Sequence, residues 1–287
     1  MKSGFVVIVG RSNVGKSTLL NALIGSKVAI ITPKAQTTRL PIRGILHDQN
    51  RGQIVFIDTP GIFLGKKDKL SKRLNLAVHD SLEGIDAIIY VVDPTREPGQ
   101  EEEYIQKLLL KASQPIILVI NKSDLSNREK SYLDYYKNIE VKQKAALSIS
   151  SKKHSNLNYL IDYLFSILPE GDEYYPNGQI TDLGHQQWIE EVIREKVFLS
   201  LEKELPYSVK TEVTNIKFRS NGNRFIDATI WTTNDRYKRM IIGNQAKKIK
   251  QIGMSARKEL ETALNTKIFL DLNVKIDPKW PDKFAQL

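Results

Sequence analysis

Short runs of hydrophobic residues, rich in valine and isoleucine, recur along the first 150 residues of the chain. The runs are apolar at nearly every position, as expected for strands buried on both faces, and stretches with helical spacing separate several of them. The strand-like runs are 5–9, 54–57, 87–92, 116–120 and 145–149, and the helix-like stretches are 16–24, 70–82, 101–112 and 157–168. This alternation predicts an α/β domain with a mostly parallel sheet over residues 1–170.

The pattern changes after residue 170. Residues 171–184 contain three glycines, one proline and three acidic residues, a composition typical of a linker. The remaining chain predicts a helix over 185–204 that Pro206 ends, strands at 209–218 and 224–232, a helix over about 244–264 and a last strand at 268–275. We therefore expect a second domain, of α+β type, over residues 185–287.

Composition narrows the chemistry of the 287 residues. The absence of cysteine excludes disulfides, zinc–thiolate sites, iron–sulfur clusters and cysteine nucleophiles. The formal charge is +10, and residues 236–258 contain eight basic residues and no acidic one, which indicates a polyanionic partner, either nucleic acid or an acidic membrane surface. The acidic run 101–103 is expected to be a solvated helix start. No apolar run approaches the about 20 residues that span a membrane, so we expect a cytoplasmic protein.

A phosphate-binding motif follows the first strand. Residues 10–17, GRSNVGKS, match GxxxxGK[ST] between a predicted strand and a predicted helix. Such a loop surrounds phosphate oxygens with backbone N–H groups at a helix N-terminus. Lys16 is expected to reach the β- and γ-phosphates and Ser17 to bind Mg²⁺. The predicted phosphate-binding residues are Gly10, Arg11, Ser12, Asn13, Val14, Gly15, Lys16, Ser17 and Thr18.

The motif NKSD closes the strand at 116–120 and predicts which nucleotide base the site binds. Guanine presents an N1–H and an N2 amine, and the carboxylate of Asp124 can accept from both, whereas adenine would leave it unpaired. Asn121 would hold the loops together, and the stem of Lys122 would lie along the base. A backbone amide at Ser150 or Ser151 is expected to face the guanine carbonyl.

The motif DTPG ends the strand at 54–57 and predicts the metal site. Asp58 would hold a Mg²⁺-bound water, and the Gly61 amide would meet the γ-phosphate, with Thr59 and Pro60 between them. One threonine hydroxyl before this strand should complete the Mg²⁺ shell, and we favour Thr38 over Thr37. Ile62 follows Gly61, where many GTPases carry a water-orienting glutamine. Since an apolar side chain cannot orient water by hydrogen bonding, hydrolysis must position the attacking water by other means.

Together, GRSNVGKST, KAQTTR, DTPG and NKSD resemble the Era family of GTPases, of the TrmE–Era–EngA group. LPYSVKTEV, IIGNQAKKIKQIG and DPKW in the second half resemble the carboxy-terminal KH domain of that family. The resemblance implies a P-loop GTPase fold, hydrolysis of bound GTP to GDP with Mg²⁺, binding near the 3′ end of small-subunit (16S-type) ribosomal RNA, and assistance to small-subunit biogenesis. It also implies that Asn13 helps to hold a catalytic K⁺, beside the catalytic residues Lys16, Thr38, Asp58 and Gly61.

KH domains grip the RNA backbone with a GxxG loop between two helices. The corresponding residues are Gly243, Asn244, Gln245 and Ala246, followed by Lys247, Lys248 and Lys250. The family pattern has glycine at the fourth position. We therefore expect the methyl group of Ala246 to hinder close backbone approach or to require a negative φ.

Two other functions are compatible with the sequence. Ile62 is compatible with an RNA-binding assembly factor that senses the nucleotide but has lost hydrolysis. The basic residues are compatible with a GTPase in peripheral contact with the inner face of the cell membrane. We expect a monomer in either case.

Overall fold

The computed structural model describes residues 1–62, 64, 69–219 and 222–284. The chain divides into two units, Met1–Asp182 and Leu183–Leu287. Most of the segment expected to be a linker belongs to the first unit, because its backbone lies along an edge strand. The amide of Ile45 donates to the carbonyl of Ile180 at 2.9 Å, and Thr181 Oγ1 donates to the carbonyl of Arg43 at 2.7 Å.

A six-stranded sheet with strand order β2-β3-β1-β4-β5-β6 forms the first unit. Neighbouring strands are parallel except β2 and β3, which confirms the mostly parallel sheet. Because β1 lies between β3 and β4, the loops after these strands meet at one edge of the sheet. The strands are β1 (Lys2–Val9), β2 (Ile42–Asp48), β3 (Gly52–Asp58), β4 (Ala87–Val92), β5 (Ile116–Ile120) and β6 (Gln143–Ser148).

Helices cover both faces of this sheet and bury its strands. Val6 and Ile8 of β1 pack in one hydrophobic core, and Val7 and Val9 pack in the other, which explains why the strand is apolar at successive positions. The helices are α1 (Lys16–Ile24), α2 (Lys69–Asp80), α3 (Gln100–Leu109), α4 (Leu133–Lys137) and α5 (Leu157–Ile167).

The second unit contains a three-stranded sheet with strand order β7-β8-β9. The pair β7 and β8 is antiparallel, and β8 and β9 are parallel. Ile226, Ala228 and Ile230 of β8 share a hydrophobic core with α6 and α8, so alternate residues such as Phe225 and Trp231 lie on the opposite, outer face. The elements are α6 (His185–Ser200), β7 (Val209–Phe218), β8 (Arg224–Thr232), α7 (Asp235–Ile242), α8 (Lys247–Leu264), β9 (Ile268–Ile276) and α9 (Trp280–Phe284).

Helix α6 is four residues shorter than its sequence predicts. Leu201 has extended backbone angles (φ −106°, ψ 156°), which end the helix while its side chain stays in the core. Pro206 lies instead in a separate 3₁₀ turn, Leu205–Ser208. Among the residues that the structure describes, no helix is long and apolar enough to cross a membrane.

Candidate functional site

The P-loop connects β1 to α1, and three of its residues have positive φ angles. These are Gly10 (155°), Asn13 (65°) and Gly15 (102°). A side chain on Gly15 would collide with the amide group of Asn121, whose Nδ2 donates to the carbonyl of Val14 at 2.8 Å. Glycine is therefore required where the NKSD loop touches the phosphate-binding loop.

Lys16 begins α1 with its ammonium group inside the P-loop. Nζ donates to the carbonyls of Gly10 at 3.0 Å and Arg11 at 2.9 Å. Burial lowers the pKa of Lys16 to about 8, although the negative charges of Asp58 and Glu102 oppose this shift. A phosphate group would favour the charged ammonium, so the loop and its lysine suit an anionic ligand.

Three oxygen-bearing side chains converge beside this lysine. Ser17 Oγ donates to Asp58 Oδ2 at 2.6 Å and lies 3.0 Å from Thr38 Oγ1. The second carboxylate oxygen of Asp58, Oδ1, is buried without a hydrogen-bond partner among the described residues. Burial raises the pKa of Asp58, and the charge of Lys16 and the two hydroxyl groups oppose that shift. Hydroxyl and carboxylate oxygens are the hard donors that Mg²⁺ prefers, so this corner fits Mg²⁺, and Oδ1 suits a metal-bound water.

The structure brings Thr38 rather than Thr37 to this corner. Thr38 Oγ1 lies 3.3 Å from Asp58 Oδ2. In contrast, Thr37 Oγ1 donates to the carbonyl of Lys34 at 2.7 Å and lies 2.6 Å from Thr32 Oγ1. Thr38 is therefore the better candidate metal ligand.

The loop after β3 passes very close to the P-loop. A Cβ on Gly61 would lie 2.6 Å from the backbone N and Cα of Ser12, so this position requires glycine. Thr59 Oγ1 donates to the carbonyl of Ile8 at 2.8 Å and fixes the start of the loop. Ile62 is 1% exposed and packs in a core of the first unit, so its side chain is not presented to a bound nucleotide.

The NKSD loop is fixed by polar contacts on both sides. Asn121 Oδ1 accepts from the amide of Ser151 at 3.1 Å and from its hydroxyl at 3.0 Å. Lys122 has a φ of 63°, and its Nζ lies 2.5 Å from Oδ2 of the buried Asp93. Because this ion pair holds the end of the lysine, its aliphatic stem has a defined course.

Asp124 lies exposed at the end of the same motif. Ser150 Oγ donates to its Oδ1 at 2.5 Å, and this bond, helped by Lys152 and Lys153, lowers the pKa of Asp124 against a small effect of burial. The carboxylate is therefore ionised at neutral pH and can accept from the two donors of guanine.

The backbone amides of the two serines differ from the expectation. The amide of Ser150 donates to the carbonyl of Ser155 at 3.2 Å, and that of Ser151 donates to Asn121. Both amides are engaged within the protein, that of Ser151 by the Asn121 side chain, which ties the two loops together, and that of Ser150 by its own loop. In this structure the hydroxyl of Ser150 supports Asp124, and the hydroxyl and amide of Ser151 support Asn121.

Two arginines connect the P-loop to the loop before α3, and no sequence motif indicated these contacts. Arg96 donates to the carbonyl of Ser12 at 2.7 Å, and Arg11 donates to the carbonyl of Glu97 at 2.7 Å. The guanidinium of Arg11 also lies 3.3 Å from Glu101 and 3.6 Å from Glu102. The two arginines therefore bind the P-loop to the start of α3.

Glu102 corrects the expectation of a solvated helix start. Its side chain is fully buried and accepts hydrogen bonds from the hydroxyl groups of Tyr90 and, at 2.8 Å, Tyr136. Burial, together with proximity to this carboxylate, raises the pKa of both tyrosines. Only the run TREPGQEEE marks these residues in the sequence, and its polar composition favours the opposite interpretation.

Asn13 reaches from the P-loop to the loop that precedes Thr38. Its Nδ2 donates to the carbonyl of Pro33 at 2.8 Å, and its Oδ1 has no donor among the described residues. An amide oxygen that accepts from no donor is a suitable single ligand for a monovalent cation.

In the second unit, the loop between α7 and α8 has the form expected of a GxxG loop. Gly243 has a φ of 74°, and a Cβ there would lie 2.7 Å from Cβ of Lys248. Ala246 has a φ of 58°, so its methyl group does not impose the negative φ considered above, and the glycine-like backbone is kept at the cost of strain. Gln245 is also left-handed, with a φ of 49°.

A groove lies between α8 and β9, and its lining begins three residues after this loop, at Ile249. Most of its lining is apolar, the cations Lys250 and Arg257 also line it, and Met254 is 65% exposed. Exposed apolar surface between cations suits the bases and phosphates of a single strand. Only the loop and its lysines were expected from the sequence. The groove is lined by Ile249, Lys250, Gly253, Met254, Arg257, Leu270 and Leu272.

Family models match each unit. A model described as "50S ribosome-binding GTPase" matches residues 5–122, and a model described as "KH domain" matches residues 204–281. GTPase Era of Halothermothrix orenii is 42% identical over 283 residues, which cover 98% of this chain and 95% of the relative. GTPase Era of Heliobacterium modesticaldum is 40% identical, with 98% of this chain and 93% of the relative covered.

Two solved structures share the fold over the whole chain. One is Era in complex with MgGDPNP and nucleotides 1506–1542 of 16S ribosomal RNA, and the other is an Aquifex aeolicus Era variant bound to GDP and AlF₄⁻. Each is 36% identical with a TM-score of 0.92, and each match covers 100% of this chain and 98% of the other. The chain therefore belongs to the Era family of GTPases, with an N-terminal P-loop GTPase domain, which binds guanine nucleotide with Mg²⁺ and hydrolyses GTP, and a C-terminal KH domain.

Proposed function

We propose that this GTPase is a switch that binds small-subunit ribosomal RNA near its 3′ end and assists small-subunit biogenesis. The convergence of Ser17, Thr38 and Asp58 supports the proposal of a switch. Thr38 belongs to the loop 25–41 and would gain a metal contact only when the γ-phosphate site is filled. Mg²⁺ would neutralise charge between the β- and γ-phosphates. Lys16 and the P-loop amides would hold the same phosphate groups.

Residue roles around the base follow from the NKSD loop. Asp124 would accept from the N1–H and N2 amine of guanine, and the stem of Lys122, held by Asp93, would lie against one face of the base. Asp124→Asn should weaken GTP binding strongly and favour xanthine nucleotides, because an amide can donate to the xanthine carbonyl. Isothermal titration with GDP and XDP measures this, and unchanged GDP affinity would contradict the role of Asp124.

The attacking water has no hydrogen-bonding side chain at position 62. We propose that a K⁺ ion held by Asn13 Oδ1 and main-chain carbonyls supplies positive charge at the phosphates. Hydrolysis should then be faster in KCl than in NaCl at equal ionic strength, and Asn13→Ala should remove the difference. Equal rates in the two salts would instead leave the chain as a nucleotide sensor with slow turnover.

RNA binding rests on the groove of the KH domain and on the full-length relative solved with nucleotides 1506–1542 of 16S ribosomal RNA. The family model for the first unit names the 50S subunit, but it covers only residues 5–122, whereas the RNA-bound Era matches both units. We therefore favour the small subunit as the partner.

An RNA titration with this 37-nucleotide segment tests the proposal. Gly243→Asp should weaken binding at least tenfold, because a Cβ there would collide with Lys248 and a carboxylate in the loop repels phosphate. Ser255→Asp, which adds the same charge to an exposed position of α8, is the matched control. Equal affinity of both variants and wild type would overturn the assignment of the loop. Displacement of RNA by anionic vesicles would favour peripheral membrane contact by the same basic surface.

A further inference from the structure

Aromatic rings and cations form a continuous stack on the outer face of the second sheet. Phe225 of β8 and Phe269 of β9 are direct partners in the strand register, and their rings lie parallel with centroids 4.5 Å apart. The guanidinium of Arg219 lies 4.0 Å from the centre of the Phe225 ring. At the other side, Nζ of Lys267 lies 5.5 Å from the centre of the Phe269 ring. These four residues are named the aromatic platform.

Cross-strand packing explains only part of this stack. Pairing of Phe225 with Phe269 stabilises the sheet, and Arg219 covers the remaining face of Phe225. Strand β9 is an edge strand, however, and the Phe269 side chain is 40% exposed there. The neighbouring Phe218, beneath the guanidinium of Arg224 at 5.3 Å, is 67% exposed. The stack therefore ends in a partly exposed ring, Phe269, beside the exposed side chain of Lys267.

The two charged residues of the platform, Arg219 and Lys267, are both cations. Among the described residues, no carboxylate lies within ion-pairing distance of Arg219 or Lys267. The next outward positions on the two strands are acidic, Asp227 and Asp271, and a side-chain amide donates to each of them. The cationic surface is thus confined to the end of the sheet.

We propose that the aromatic platform is a second RNA-contact site, on which an unpaired base displaces the ammonium group of Lys267 from the Phe269 ring and stacks there, while Lys267 and Arg219 meet the flanking phosphates. Base stacking on aromatic rings and cationic contacts to phosphate are the two components of single-strand recognition. A second copy of the chain is a poorer occupant, because a twofold contact would place the same unpaired cations against each other. This inference rests on the proposed RNA-binding function and adds a contact outside the groove of α8 and β9.

Paired variants on one strand test the platform with the same 37-nucleotide RNA. Phe269→Leu should weaken binding about five- to tenfold, whereas Ile276→Leu, at an exposed apolar position at the far end of β9, should not. Lys267→Gln should weaken binding and lower the salt dependence by about one phosphate contact, and Lys275→Gln should have a smaller effect. Phe269→Tyr keeps the ring and should restore affinity. Lys267 is exposed, so its variant does not depend on the stability of the aromatic pair.

Ultraviolet cross-linking of the wild-type complex gives an independent measurement. A nucleotide cross-linked to the peptide that contains Phe269 would support the platform. Equal losses for Lys267→Gln and Lys275→Gln, with no such cross-link, would show diffuse attraction and overturn it. A change in sedimentation with Phe269→Leu, without loss of RNA affinity, would also overturn it in favour of a protein contact. If Gly243→Asp and wild type both fail to bind RNA, the proposed function fails instead.

Discussion

Burial of a single cation has a measurable consequence in the P-loop. Lys16 is held by two main-chain carbonyls, and its burial lowers its pKa to about 8 in the absence of nucleotide. The free protein therefore loses this proton as the pH rises through about 8. Bound phosphate favours the charged form, so it raises the pKa again.

We predict that GDP binding takes up protons near pH 8. Affinity should fall by about tenfold per pH unit above the pKa of the free protein, because part of the binding energy must restore the proton. Calorimetry in buffers of different ionisation enthalpy measures the uptake. Lys16→Arg, whose guanidinium stays protonated, is the control and should show no uptake. Proton release on binding would contradict the lowered pKa.

Ala246 stores strain that glycine would not. A non-glycine residue in the left-handed region costs about 1–2 kcal/mol, and glycine loses part of that gain through its more flexible unfolded state. Ala246→Gly should therefore raise the free energy of unfolding by up to about 1 kcal/mol and should not weaken RNA binding. Ala263→Gly, in the last turn of α8, should lower it by up to about 1 kcal/mol. Urea unfolding compares the two, and equal destabilisation would contradict the strain.

At the scale of elements, the features that could be predicted from the sequence are those that contiguous residues encode. The P-loop, DTPG and NKSD motifs are contiguous and end buried strands, so their placement could be predicted. Strand β2 was missed because it is half-covered and carries polar residues such as Arg43 and His47. The contact of Arg11 with Glu102 joins residues far apart in the chain, and no local pattern encodes it.

The carboxylate of Glu102 links α3 and α4 to the P-loop. Glu102→Gln can keep both tyrosine hydrogen bonds, because one tyrosine donates to the amide oxygen and the other accepts from the amide nitrogen. It removes the charge that faces Arg11, so we expect GDP affinity to fall several-fold and stability by about 1–3 kcal/mol.

Tyr136→Phe is the matched control for that substitution. It removes one hydrogen bond to Glu102 and leaves the charge near Arg11 intact, so stability should fall by about 1 kcal/mol with GDP affinity unchanged. Filter binding and urea unfolding separate the two effects. Wild-type affinity for Glu102→Gln would show that the glutamate only packs.

At the scale of the molecule, the nucleotide site belongs wholly to one of two units, each with its own hydrophobic core. Saturating Mg·GDP at 100 times its Kd should stabilise the first unit by about 2.7 kcal/mol. Hydrogen exchange should therefore slow in β1 and α1 but not in β8 or α8. Asp124→Asn under the same conditions is the control. Equal slowing in both units would show that they unfold as one cooperative body.

The segment that connects the first unit to α6 can form a linker of two different lengths. Residues 174–182 are held against β2 and β3 by the main-chain bond at Ile180, by the hydroxyl of Thr181, by Gln53 and by the ion pair of Arg43 with Asp182. While these hold, only two residues separate the fastened segment from α6. If residues 174–182 detach from β2 and β3, about nine more residues are released, which adds a reach of about 30 Å. The same segment can therefore act as a short linker or a long linker to the KH domain.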